Sequence, residues 1–99
     1  MIIVENIIEW SRPHPNQVEG ARMLRIYNDE IEASIVGGGP GLYGSFVKSF
    51  ELAIFDRKTD DFITRFFFPE IQDDVVGYLE GEKLVEFLNN VFRNGFQVR

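Results

Sequence analysis

The 99-residue chain is 44% hydrophobic, contains ten phenylalanines and has no cysteine. This length fits one domain, residues 1–99, and the apolar content is enough for a core, which excludes a disordered protein and a disulfide scaffold. The net charge of −6 and the pI of about 4.7 argue against binding to the backbone of nucleic acid or to an anionic membrane. Such a charge suits a basic protein partner, although moderate acidity also serves solubility alone.

The N-terminal segment, MIIVENIIEW, is interrupted by Glu5 and Glu9 and lacks the basic residues and the cleavage site of a signal peptide. No apolar run approaches the roughly 18 residues needed to cross a bilayer. Together with the absence of cysteine, these features predict a soluble, cytoplasmic protein.

Strand-like patterns dominate the first third of the chain. Ile2–Trp10 is apolar and β-branched and predicts a strand, whereas Ser11–Gly20 contains two prolines and predicts an exposed loop. Ala21–Tyr27 and Ile31–Val36 both alternate apolar and polar residues around the turn-like Asn28-Asp29-Glu30. These two segments therefore predict a β-hairpin.

A glycine-rich loop, Gly37–Gly44, separates the hairpin from two further strand-like segments. Val47–Phe55 alternates again, and Phe62–Phe68 is an apolar run that ends at a proline. The polar segment Asp56–Asp61 joins them as a hairpin connection. Because the connections are too short for helical crossovers, the sheet is predicted to be antiparallel.

The last segment has the spacing of an amphipathic helix. Its apolar residues recur at i, i+3, i+4, i+7 and i+8, namely Leu84, Phe87, Leu88, Val91 and Phe92. Acidic residues near its start favour the positive end of the helix dipole, and Gly95 is the predicted C′ residue. The sequence thus predicts an α+β fold: an antiparallel sheet of about four to five strands with one C-terminal amphipathic helix packed on one face.

The three consecutive phenylalanines, Phe66-Phe67-Phe68, need two apolar environments if they lie in a strand, because neighbouring strand residues face opposite sides. One helix covers only one face of the sheet. The second face then indicates a homodimer interface or a partner surface. Alternatively, Ile2–Trp10 and the loop after it cover that face within the chain.

The glycine-rich loop contains GPGLYG, Gly39–Gly44, which matches the GxGxxG pattern of dinucleotide-binding loops, with Asp60 near the position of the acidic residue. That pattern holds a pyrophosphate because the loop opens a helix. Here the loop opens a strand-like segment and contains Pro40. Nucleotide binding by this loop is therefore not favoured.

The same loop carries large apolar side chains where an ordinary turn would be polar. Leu42, Tyr43 and Phe46 lie on or beside a permissive backbone and are predicted to form a small recognition surface. The alternatives are that the loop is a plain connection, or that Leu42 and Phe46 fold into the core while Tyr43 covers its edge.

Acidic residues are concentrated between Glu70 and Glu86, where the one basic residue is Lys83. If the loop and the helix start lie together, they form an acidic patch that can dock on a basic surface. The residues assigned to this patch are Asp73, Asp74, Glu80 and Glu82. The alternative is a solvated loop followed by a polar helix start.

Catalytic and metal-binding patterns are not recognisable in this sequence. One histidine, His14, and no cysteine give no metal-site signature and no catalytic triad. Asp60-Asp61 and Asp73-Asp74 are adjacent pairs whose members point to opposite sides of an extended chain, so each pair offers one ligand. The sequence therefore predicts a protein that is not an enzyme and binds no metal or cofactor.

Three segments resemble a loosely defined group of small phage-encoded proteins. The matching residues are Leu42-Tyr43-Gly44, Phe50-Glu51-Leu52-Ala53-Ile54 and Asp74-Val75-Val76-Gly77-Tyr78-Leu79. The resemblance implies a phage or mobile-element accessory protein in the cytoplasm of the host, and it carries no catalytic residues to transfer.

Together these observations favour a small acidic binding protein that inhibits or modulates a larger protein by occupying its surface, as anti-defence proteins do. The alternative is an oligomeric domain that binds or sequesters a small molecule or nucleotide beneath the glycine-rich loop. Leu42, Tyr43 and Phe46 would make the protein contact in the first hypothesis, with the acidic patch beside them.

Overall fold

The structure is a computed structural model that describes residues 1–15 and 20–99. Its elements, in chain order, are α1 (Val4–Trp10), β1 (Arg12–Pro13), β2 (Arg22–Tyr27), β3 (Ile31–Gly37), β4 (Ser49–Asp56), α2 (Thr64–Phe67), β5 (Val76–Glu80), α3 (Gly81–Val91) and β6 (Gln97–Val98). The strands form one antiparallel sheet in the order β1-β2-β3-β4-β5, and β6 also pairs with β2. The predicted α+β class is confirmed.

The core lies on one face of this sheet. Strand alternation sends every second side chain of β2, β3 and β4 to this face, and these residues are buried: Leu24, Ile26, Ala33, Ile35, Phe50, Leu52 and Ile54. Helix α3 contributes Leu84 and Leu88 to the same cluster, and its C-cap residue Phe92 joins them, so the apolar stripe predicted for this helix packs as expected.

Helix α3 begins at a glycine, and its C-terminal end differs from the prediction. The helix begins at Gly81, where the nearest atom to an added Cβ would be Val4 Cγ2 at 2.9 Å, so glycine allows α1 to pack against the helix start. It ends at Val91, with Phe92 as the C-cap. Gly95 is therefore not the C′ residue, although its φ of +123° is left-handed and its N–H donates to the Phe92 carbonyl.

The predicted strand at Ile2–Trp10 is wrong, because Val4–Trp10 forms α1. Val4, Ile7 and Trp10 recur every third residue, which places them on one helical side, where they pack on the core. Asn89 of α3 anchors the start of this segment: its amide oxygen accepts the Ile2 N–H at 2.7 Å, and its nitrogen donates to the Ile2 carbonyl at 2.8 Å.

The loop predicted at Ser11–Gly20 contains the two-residue strand β1, which pairs with β2. Part of this loop, residues 16–19, lies outside the described residues. Its possible role in covering the second face of the sheet stays a prediction, whereas α1 lies with the core.

The predicted strand at Phe62–Phe68 is also wrong. Phe62 makes an isolated bridge to Phe55, and Thr64–Phe67 then forms α2. Thr64 is buried, and its Oγ1 accepts the N–H of Ile54 at 3.0 Å, so a side chain replaces the backbone partner that a strand would supply. In α2 the side chain of Phe66 is 85% exposed. The rings of Phe67 and Phe68 both contact the ring of Phe87, and each centroid lies 5.4 Å from the Phe87 centroid.

The opposite face of the sheet, here called the second face, is formed by the alternate residues of β2, β3 and β4. Met23, Val36 and Ala53 are buried there, whereas Arg25, Glu32 and Phe55 form a charged and aromatic region at the other end.

In the described part of the chain, no helix is long and apolar enough to cross a membrane.

Candidate protein-binding surface beside strand β5

The glycine-rich loop folds back on the protein that carries it. Its two ends are joined by a bond from the Gly38 N–H to the Gly44 carbonyl at 2.9 Å. Gly38 has φ +82°, and a Cβ there would lie 2.7 Å from the Gly20 carbonyl oxygen, so glycine is required both for conformation and for space. The loop leads into β4 and not into a helix, so it lacks the helix N-terminus that a dinucleotide-binding loop needs.

Two of the loop's three predicted contact residues are removed from the surface, wholly or in part. Phe46 is 3% exposed and packs edge-on against Phe50, with ring centroids 5.1 Å apart. Its assignment to a recognition surface is therefore wrong, and for Phe46 the alternative, that it folds into the core, is the one observed; its backbone has φ +62°. Leu42 is half-buried, which leaves Tyr43, 48% exposed, as the main predicted contact residue at the surface.

Tyr43 is not alone, because Tyr78 of β5 lies beside it. The ring centroids are 5.9 Å apart, and Tyr78 is 67% exposed. The backbones are joined as well: the Tyr78 N–H donates to the Tyr43 carbonyl at 2.7 Å, and the Tyr43 N–H donates to Glu51 Oε1 at 3.1 Å. The two tyrosines thus form one exposed aromatic surface, here called the tyrosine pair.

A β-bulge in β5 places Tyr78 in this position. Phe50 pairs with Leu79 and Leu52 with Val76, so Glu51 faces two residues, Gly77 and Tyr78. Tyr78 has φ +53°, a left-handed conformation that is strained for an aromatic residue.

Gly77 allows the loop to reach the bulge. A Cβ at Gly77 would lie 2.9 Å from Tyr43 Cβ, so the absence of a side chain there lets the two segments touch. Strand β5 is a terminal strand of the sheet order, and the bulge interrupts its regular edge. The tyrosine pair therefore sits on an irregular edge that is poorly suited to adding another strand.

The predicted acidic residues lie at the two ends of β5. Asp73 and Asp74 precede the strand, Glu80 ends it, and Glu82 lies in the first turn of α3. The two groups therefore lie on either side of Tyr78 along the chain. Asp74 is partly neutralised by Arg65 Nη2, 3.7 Å from its Oδ1.

Two carboxylates lie on the same side of the sheet as the tyrosine pair. Leu79 is buried in the core, so its neighbour Glu80 faces the other way. Glu51 faces that side too and holds the Tyr43 backbone. The sequence alternation of β4 indicates the position of Glu51, but the bulge that brings Tyr78 to Tyr43 leaves no recognisable pattern.

A second group of side chains, which the sequence analysis missed, surrounds Glu32 on the second face. Glu32 is 4% exposed, and its carboxylate oxygens accept bonds from Arg25 Nη1 at 2.9 Å and from Arg99 Nη2 at 2.6 Å. Burial acts to raise the pKa of Glu32, but the hydrogen bonds and charges of Arg25 and Arg99 outweigh it and lower that pKa. Strand alternation places Arg25 and Glu32 on one face, whereas Arg99 reaches them through β6, which sequence patterns do not reveal.

Within residues 1–15 and 20–99, no three His, Asp or Glu side chains are grouped so as to hold a metal ion. The fold and surface thus define a small α+β domain with an exposed aromatic pair between acidic residues. Comparison of the chain with models of protein families, with curated proteins and with solved structures finds no match. Residues 42–44 end the glycine-rich loop, residues 50–54 lie in β4, and residues 74–79 lead into and form most of β5, so these three segments meet at the bulge.

Proposed function

We propose that this protein is a non-enzymatic binding domain that acts by occupying the surface of a larger protein, with the tyrosine pair as its main contact. The observation that carries the proposal is the fixed, exposed placement of Tyr43 and Tyr78, with ring centroids 5.9 Å apart. Tyrosine is enriched at interface hot spots because it buries a large area at low entropic cost and keeps a polar tip.

The backbone around the tyrosine pair favours binding because it is already ordered. Tyr78 is held by the bulge and by its bond to the Tyr43 carbonyl, and Tyr43 is held by Glu51. A surface with its contact groups in place loses less conformational entropy when a partner docks.

The flanking charges favour a basic partner surface. Glu80 lies on the same side as Tyr78, Glu82 follows it, and Asp73 and Asp74 lie beyond the other end of β5. On a protein with a net charge of −6, this arrangement speeds encounter with a positively charged surface and orients it over the tyrosines. The resemblance to phage-encoded proteins extends the proposal to an accessory role, such as inhibition of a host protein, in the host cytoplasm.

The small-molecule alternative is less well supported. The space beside three of the loop's glycines is occupied by the protein's own atoms. An added Cβ would meet Gly20 at Gly38, Ala21 at Gly39 and Phe50 at Gly44. These three glycines of the loop therefore serve packing against their own domain, which argues against their use to cradle a ligand, whereas Gly41 has no atom within 4 Å of an added Cβ.

The test is a pull-down with tagged protein from a lysate of the source cells or their host, read by mass spectrometry. We expect one protein to be captured in stoichiometric amount by the wild type and lost with the Tyr43→Ala/Tyr78→Ala variant. With the captured protein purified, the double variant should weaken the Kd by about 30-fold or more, because truncating a hot spot costs about 2 kcal/mol or more.

Phe66→Ala is the matched control, because Phe66 is an aromatic residue 85% exposed on α2, outside the tyrosine pair. It should leave capture and affinity unchanged. Capture of nothing above background by the wild type would contradict the proposed function. Equal losses with Phe66→Ala and with the tyrosine variant would exclude the tyrosine pair as the specific contact.

A further inference from the structure

Three arginines converge on a small cavity on the second face of the sheet, away from the tyrosine pair. The cavity has a volume of about 210 Å³ and is lined by Arg25, Glu32, Phe55, Arg57, Asp60 and Arg99. These residues come from β2, β3 and β4, from the turn after β4, and from the residue after β6. We call this group the arginine cup.

Positive charge is in excess in the arginine cup. Glu32 accepts one short hydrogen bond on each oxygen, from Arg25 and from Arg99, and Arg57 Nε lies 3.9 Å from its Oε1. Each guanidinium carries five N–H donors, so one carboxylate cannot use the donors of three arginines. The arginine side chains are 36%, 32% and 52% exposed for Arg25, Arg57 and Arg99, which leaves them within reach of a solute.

Aromatic rings hold the guanidinium groups in place. The guanidinium carbons of Arg57 and Arg99 lie 4.6 and 4.7 Å from the Tyr27 ring centroid, and that of Arg25 lies 5.5 Å from the Phe55 centroid. Such cation–π contacts restrict long side chains that would otherwise be mobile. Arg57 is further fixed by its Nη1, which donates to the Asn28 carbonyl at 2.7 Å.

We propose that the arginine cup binds a small oxyanion, a phosphate or carboxylate group, through the donors that Glu32 does not use. Guanidinium forks match both groups, because they present parallel N–H donors to two oxygens at once. The cavity volume accommodates one such group with some of its water, given about 30 Å³ for each water molecule. Asp60, with φ +61°, is the one other carboxylate that lines the cavity, and it opposes the anion.

The experiment is a titration of ¹⁵N-labelled protein with inorganic phosphate and, separately, with acetate, at constant ionic strength. The Nε–Hε signals of the arginines report binding directly. We expect saturable shifts at Arg25, Arg57 and Arg99, and the ratio of the two Kd values distinguishes a phosphate site from a carboxylate site. Shifts that rise linearly without saturation for both anions would overturn the proposal.

Two substitutions test the site in opposite directions. Arg57→Gln should weaken the Kd by about tenfold or more, since a hydrogen bond to a charged group contributes about 1.5 kcal/mol or more. Asp60→Asn removes the opposing charge and should tighten binding about twofold to threefold, and asparagine tolerates the left-handed backbone at this position. Arg57→Lys keeps the charge and replaces Arg57→Gln in the experiment if that variant fails to fold. Its Kd should lie between that of the wild type and that expected for Arg57→Gln.

Arg93→Gln is the matched control, because Arg93 is an exposed arginine beyond the end of α3 that does not line the cavity. It should leave the Kd unchanged. Equal effects of Arg93→Gln and Arg57→Gln would indicate attraction by overall charge and would contradict a specific site. An unchanged Kd in both Arg57→Gln and Asp60→Asn would contradict it as well.

Discussion

At the scale of single residues, Glu32 links the stability of the protein to pH. Its pKa is lowered in the folded protein because Arg25 and Arg99 bind its carboxylate, which outweighs the effect of burial. A carboxyl group with a lowered folded pKa stabilises the fold fully above its unfolded pKa, near 4.3, and loses this contribution as the pH falls through the folded pKa. The contribution is therefore present at pH 7 and lost in acid.

Glu32→Gln tests this linkage. At pH 7 we expect a loss of about 2 kcal/mol in the free energy of unfolding, because hydrogen bonds to charged groups are lost. The difference from the wild type should shrink as the pH falls below 4, and urea denaturation at pH 7 and pH 3 measures both values. Glu5→Gln, at an exposed position of α1, is the control and should change little. An equal difference at both pH values would contradict the linkage.

Two aromatic residues show where prediction from the sequence ends at this scale. Phe46 and Tyr78 both adopt positive φ, at 62° and 53°, which is rare for residues with large side chains and leaves no pattern in the sequence. One ring is turned into the core and the other is 67% exposed. The sequence therefore predicts the aromatic loop and Tyr43, leaves the burial of Phe46 as one of two alternatives, and does not predict that Tyr78 lies beside Tyr43.

At the scale of elements, the sequence predicts the strands and the helix whose apolar residues recur regularly. It does not predict the elements that are short or in which this recurrence is interrupted. Alternation predicts β2, β3 and β4, and the recurrence from Leu84 to Phe92 predicts α3. Helix α1 is missed because seven residues give only two turns of periodicity. Strand β5 is missed because Gly77 and the bulge break its alternation, and β6 because two residues form no pattern.

The buried hydroxyl group of Thr64, the first residue of α2, satisfies a backbone donor of β4, and Thr64→Val tests the contribution of this bond. The buried Thr64 Oγ1 accepts the Ile54 N–H at 3.0 Å, and valine keeps the shape but leaves that donor unsatisfied. We expect a loss of about 1–3 kcal/mol in the free energy of unfolding, together with faster hydrogen exchange at the Ile54 amide. Urea denaturation and amide exchange measure the two effects.

Thr64→Ser keeps the hydroxyl group and should preserve the protection of the Ile54 amide. Thr59→Val, in the exposed turn after β4, removes a hydroxyl that accepts the Asp61 N–H at 3.3 Å at the surface, so it should change the free energy of unfolding little and leave the protection of the Ile54 amide unchanged. Protection of the Ile54 amide that survives in Thr64→Val would show that another group satisfies this donor.

At the scale of the whole molecule, the basic residues are unevenly distributed, so the surface outside the arginine cup is more acidic than the net charge indicates. Three of the ten basic residues surround Glu32, and Arg65 pairs with Asp74. The remaining carboxylates therefore face few neutralising charges on a body with a radius of gyration of 12.4 Å. Charges confined to so small a body repel one another within about one Debye length at physiological salt.

This repulsion predicts that salt stabilises the fold while it weakens binding to a basic partner. Raising NaCl from 10 to 200 mM should raise the Tm by about 2–4 °C, since roughly 0.5 kcal/mol corresponds to that shift in a domain of this size. The same change should weaken the complex, because its long-range attraction is screened. Thermal unfolding measures the change in Tm, and a titration with the partner measures the change in Kd. Both are carried out in buffers free of phosphate and carboxylate. KCl should reproduce both changes. A Tm that falls with salt would mean that attraction around Glu32 outweighs the repulsion of the other carboxylates.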